Sequence, residues 1–159
     1  MRKWILTLML LVLTACSKRE TVSYQEKNLV PSSSYAMLIV ESESCIYCKQ
    51  LDKDLKTDPL LTKSLQGIDV FKVTAESNAP VVYKLSGKEG KTTEEDLVRA
   101  LGVRAFPYIV FYNREGDILL QLPGYVPPKT LACVVEYIKE GEYRKTDVNR
   151  YLRQRNCLS

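Results

Sequence analysis

Two cysteines, Cys45 and Cys48, stand three positions apart directly behind a short run of large aliphatic residues and in front of a helical pattern. The run Tyr35-Ala36-Met37-Leu38-Ile39-Val40 is bounded by serines and reads as a buried strand. From Cys45 onward the apolar positions change to helical spacing, with Cys48, Leu51 and Leu55 on one side and Asp52, Lys53, Asp54 and Lys56 elsewhere. The pair is therefore committed to a strand-to-helix junction, which restricts both the fold and the chemistry.

The remaining chain supplies alternating elements. Asp58-Pro59 breaks the first helix and starts another, with Asp58 as N-cap, that runs to about Leu65. Residues 68–75 alternate well enough for a second strand, and 76–91 read as a loop or small hairpin. Thr92 and Glu95 form a capping box for a helix that Gly102 ends. Residues 106–122 make an antiparallel hairpin around an Asn-Arg-Glu-Gly turn. Pro127 and Pro128 open a last helix whose apolar face is Leu131, Val134, Val135 and Ile138. No repeats occur. The order indicates an α/β or α+β sheet covered by helices, and 159 residues suffice for one domain with a real core.

Arg2 and Lys3 precede an apolar run, Trp4 to Leu13, that closes on Leu13-Thr14-Ala15-Cys16. The run is too short to span a bilayer and has the layout of a secretory signal, an uncleaved signal anchor being the alternative. Its end resembles the lipobox of bacterial lipoproteins. That resemblance implies a signal peptide over 1–15, a lipid on Cys16 and a periplasmic location held to the membrane by lipid, and the polar, aperiodic stretch that follows reads as a tether over 16–33. Ser17 favours the outer membrane by the same analogy. Each buried CH₂ of such an anchor contributes about 0.8 kcal/mol. Export lets thiols pair, and the four cysteines left after Cys16 could make two disulfides. The chain has no histidine, which removes Cys–His catalysis and His-containing zinc sites. The net charge of +4 comes from interleaved signs without a basic stripe, so nucleic acid is not an expected partner.

CxxC at the first strand-to-helix turn and Pro107 at the start of the hairpin resemble the layout of the thioredoxin fold over residues 34–141, leaving 142–159 as a short C-terminal helical extension. The stretches CIYCKQ, VRAFPYIVFYNREGD and LPGY are similar to periplasmic thioredoxin-like proteins of the SoxW type and, more distantly, to the catalytic domain of the DsbC isomerase. The resemblance implies a central mixed sheet flanked by helices. It also implies a cis bond between Phe106 and Pro107, with Phe106, Pro107, Ile46 and Tyr47 meeting an extended substrate. From residues alone, a trans proline at a strand start is the alternative.

Cys45, at the helix N-terminus, is the expected nucleophile, its pKa drawn below the free value of about 8.5 by unpaired N–H groups. Cys48, one turn in, is the resolving thiol. Thioredoxin keeps a buried acid six positions before its first cysteine, where this chain has Ile39. Glu41, on the same strand face, could pass protons to Cys48 instead. Tyr47 resembles the residue of reducing or isomerising periplasmic members.

Two thiols make a poor zinc site, while copper(I) accepts two thiolates, so a metallochaperone and a purely structural bridge remain alternatives to exchange. No metal or other cofactor is expected. A reductase is favoured over an isomerase because residues 17–34 are too short for the dimerisation domain of DsbC-type isomerases. A monomer is expected, with disulfide-containing exported proteins as clients and a membrane thiol donor as electron source. Cys133 lies about half a turn from the apolar face of its helix. Val148, Tyr151 and Leu152 then suggest a short tail helix pinned by a Cys133–Cys157 disulfide. Two free thiols or an intermolecular bridge are the alternatives.

Overall fold

The structure, a computed structural model, describes residues 24–158. Every residue from Ala36 to Val40 is fully buried, because successive side chains of a strand serve opposite faces and both faces here are covered. This strand is β2 (Tyr35–Glu41), and β1 (Lys27–Asn28) precedes it. Then follow α1 (Ile46–Thr57), α2 (Pro59–Ser64), β3 (Asp69–Thr74), β4 (Pro80–Leu85), β5 (Lys88–Thr93) and α3 (Glu94–Ala100). The chain continues with β6 (Tyr108–Asn113), β7 (Ile118–Pro123), α4 (Pro128–Lys139), a 3₁₀ turn over Glu142–Arg144 and α5 (Val148–Gln154).

Four strands form a mixed sheet in the order β3-β2-β6-β7, β2 and β3 parallel and the other pairs antiparallel. Met37, Ile39, Ile109 and Phe111 face one core with Leu51, Leu61 and the predicted α4 face of Leu131, Val134, Val135 and Ile138. Ala36, Leu38, Val40, Val110 and Tyr112 face the other, with Leu97 and Val98 of α3 and Val81 of β4. The fold class is the one the sequence predicts: α/β, a thioredoxin fold with a mixed sheet flanked by helices and one further helix at the C-terminal end.

Local chemistry sets the element ends. Asp58 closes α1 and opens α2 at once: its N–H reaches Asp54 O at 2.9 Å, and its carboxylate accepts from Leu61 N at 2.8 Å. Asp147 caps α5 through Asn149 N at 2.9 Å. Gly116, in the β6–β7 turn, is at φ +90, and a Cβ there would stand 2.6 Å from Lys84 O. Only glycine lets the hairpin approach β4 so closely.

Two expectations need correction. The tether expected over 16–33 is folded where the structure describes it: β1 pairs in parallel with β4, Leu29 is 1% exposed, and Asp69 accepts the amides of Ser32 and Ser33. The boundary expected at residue 34 thus falls inside the folded unit. Of the two readings of 76–91 the structure has the hairpin: β4 and β5 pair antiparallel over 80–93 and join β1 in a second sheet, β1-β4-β5. Because β5 continues through Thr93, the helix cap is Thr93 accepting from Asp96 N, not Thr92 with Glu95.

Candidate functional site

Cys45 is the N-cap residue of α1, with extended backbone angles, and its sulfur accepts from Cys48 N at 3.0 Å. The sulfur occupies the place where an N-cap oxygen would satisfy one of the free amides of the first turn. Cys45 and Cys48 are joined as a disulfide, with Cα atoms 5.3 Å apart. Cys48 is 4% exposed, whereas Ile46 and Tyr47 between the two are 75% and 59% exposed. The loop entering α1 is fastened from β3's side of the site: Ser42 Oγ donates to Glu76 at 2.5 Å and Glu43 N at 3.2 Å. The Ser42 bond comes first among the causes that hold the Glu76 carboxyl below its usual range.

A cleft of about 300 Å³ opens beside the disulfide, lined by Glu41, Glu43, Cys45, Cys48, Lys49 and Asp52 among others. Glu41 ends β2, two residues beyond Ile39, which is fully buried and supplies no acid. Lys72 of β3 reaches Glu41 Oε1 at 3.2 Å and also contacts Asp52 of α1. One ammonium thus ties a strand-end carboxylate to the helix that carries both cysteines. The structure brings Glu41 into the same cleft as Cys45 and Cys48.

The peptide bond between Phe106 and Pro107 is cis. Pro107 is buried and its carbonyl accepts from Gly124 N at 2.8 Å, while Phe106 is half-buried and packs against the second core. Two residues escaped the sequence reading. Asp54, assigned to the polar side of α1, is 8% exposed. Its partner is Tyr125, whose hydroxyl donates to Asp54 Oδ2 at 2.5 Å and whose ring stacks on Tyr47 at 5.8 Å between centroids. Burial first, then the bond to Asp54 and its charge, push the Tyr125 hydroxyl up to about 12. The available signal was the LPGY stretch, in which Tyr125 follows the glycine.

The structure also joins Cys133 to Cys157, 24 residues apart, with Cα atoms at 6.2 Å. Thr130 Oγ1 donates to Cys157 O at 2.7 Å, and Cys157 is 3% exposed. A groove of about 640 Å³ runs past this bridge between α2, α4 and α5. Cys16 lies outside the described residues.

A strand-to-helix CxxC on a mixed sheet defines a thioredoxin fold with a dithiol exchange site, and the chain is a thiol–disulfide oxidoreductase in that general sense. A model of the thioredoxin-like domain matches residues 22–139, most of the chain, and the chain belongs to that family. Among solved structures it is similar to a thioredoxin-fold protein from Helicobacter pylori, with 26% identity and a TM-score of 0.69 over 83% of this chain and 90% of that one. A thioredoxin-2 described as part of the malaria parasite's secretion machinery matches at 16% identity and a TM-score of 0.49, over 74% and 96% of the two chains. A protein from Edwardsiella tarda matches at 16% and 0.48, over 70% and 98%. No curated protein matches the chain.

Proposed function

We propose that this protein is a periplasmic, lipid-anchored reductase of disulfides in exported proteins, related to the SoxW-type and DsbC-like thioredoxin-fold lipoproteins and acting as a monomer. The observation that carries the reading is the position of Cys45 Sγ at the N-cap of α1, 3.0 Å from the Cys48 amide. In the reduced protein that amide and the helix N-terminus favour a thiolate on Cys45. The thiolate attacks a client disulfide, forming a Cys45–client bond while the client's other sulfur leaves as a thiolate. Glu41 takes the proton of Cys48, whose sulfur attacks Cys45 Sγ and expels the client's second thiol. The client gains two electrons and the enzyme is left as the disulfide, which a membrane thiol donor reduces again.

Reduction is favoured over oxidation by the charge around the pair. Strong oxidants stabilise their reduced, thiolate form. Here Ile46 and Tyr47 place no cation between the cysteines, and the cleft presents Glu41, Glu43 and Asp52 against Lys49, with Lys72 occupied by two of the acids. Insulin reduction driven by a dithiol tests the activity: wild type is active and Cys45→Ser is not. Activity surviving in Cys45→Ser refutes this nucleophile. A potential near −270 mV is expected, and one near −120 mV would make the protein an oxidase.

A further inference from the structure

The loop after β7 joins the cis-proline segment to α1, the helix that Cys45 caps. Gly124 N–H holds the carbonyl of Pro107 at 2.8 Å, and the next residue, Tyr125, reaches back to α1. Its hydroxyl meets Asp54 Oδ2, its ring lies nearly parallel to Tyr47 at 28°, and Gln50 Nε2 occupies Asp54 Oδ1 at 2.7 Å. A buried carboxylate is costly and needs its lone pairs met. Among the described residues Asp54, at 8% exposed, meets only neutral donors, from Tyr125 and Gln50, a demanding way to hold a ring that apolar contact alone could seat. What the arrangement adds is direction. Tyr47 is stacked on the Tyr125 ring while 59% exposed, with Ile46 beside it at 75%. A side chain already fixed in place loses little rotamer freedom on binding, so the surface it presents gains affinity.

We infer that Asp54 and Tyr125 are positioning residues that fix Tyr47 as an aromatic platform, and that the preferred clients carry a large apolar or aromatic side chain next to the cysteine under attack. The inference rests on exchange at Cys45. A residue docked on the platform would place its neighbouring disulfide by the nucleophile. Serine or glycine at that position would leave Ile46 and Tyr47 uncovered.

The test uses two cystine peptides, one with Phe and one with Ser beside the target cysteine, and reads KM and kcat separately. Wild type should show a lower KM for the Phe peptide. Tyr125→Ala and Tyr125→Phe should raise that KM about fivefold, in line with an aromatic contact of about 1 kcal/mol, with kcat within about twofold and the Ser peptide unaffected. Asp54→Asn keeps an oxygen that accepts from Tyr125 and should stay near wild type. An active wild type with equal KM for both peptides overturns the platform alone. So does a Tyr125→Phe protein that loses both peptides equally, or keeps its preference. A wild type inert towards both overturns the exchange reading and the platform with it.

Discussion

Lys72 Nζ stands 3.2 Å from Glu41 Oε1, so the end of β2 and the adjacent β3 meet at the rim of the cleft beside Cys48. Lys72 is more than one-third exposed, and such a pair adds less than about 1 kcal/mol to folding. The pair also holds the Glu41 side chain in the cleft that Cys45 and Cys48 line. General-base assistance is worth about 10²–10⁴-fold, and water can replace part of it. Glu41→Gln should therefore slow resolution of the mixed disulfide about tenfold or more by stopped-flow kinetics, with the melting temperature little changed. An unchanged rate removes Glu41 from the mechanism.

Burial separates the two sulfurs. Cys48 is 4% exposed and Cys45 is half-buried at the helix end. In the reduced protein, iodoacetamide should label Cys45 first. Cys48→Ser should leave Cys45 able to attack but unable to release its client, so a mixed disulfide should accumulate on non-reducing gels. Labelling of Cys48 first would reverse the two roles.

Asp69 links acid stability to the N-terminal segment. Burial raises its carboxyl, but the bonds from Ser33 and Ser32 outweigh that and hold it below the ordinary range. A lowered folded-state value stabilises the protein above the unfolded value of about 3.9 and is lost as pH falls through the folded one. Thermal melts between pH 6 and pH 2.5 should show Asp69→Asn less stable at pH 6 and converging on wild type in acid. A constant difference across that range would contradict the linkage.

Leu29 is 1% exposed, and its carbonyl takes the hydroxyl of the buried Tyr112 at 2.6 Å. Leu29→Ala should cost about 2–5 kcal/mol, seen as a lower urea midpoint with an unchanged slope. A loss below about 0.5 kcal/mol would mean that this segment is surface decoration.

Much of this architecture was legible because local chemistry agrees with the global fold. Asp58-Pro59 carries its own stop and start signals, and the α4 face follows from helical spacing. The segment at 24–33 was missed for a physical reason. Its burial comes from partners far along the chain, Val81 and Val82 in β4, Asp69 and Tyr112, and two residues of strand have no period to read. Asp54 was misplaced for the same reason: its charge suggests solvent, and the tyrosine that lets it stay inside lies 71 residues away. The cap of α3 lies at Thr93, one residue past Thr92, because Thr92 sits inside the β5 ladder opposite Val81.

The Cys133–Cys157 bridge sets this molecule a problem of self-recognition. A chain built for exchange at Cys45 and Cys48 carries a second sulfur–sulfur bond of its own, and neighbouring copies carry the same bond. Attack requires approach in line with the bond, and Cys157 is enclosed with its backbone held by Thr130. That enclosure guards only one end of the bond: Cys133 is half-buried on the open groove between α2, α4 and α5, which leaves its sulfur as the end that a neighbour's thiolate could approach.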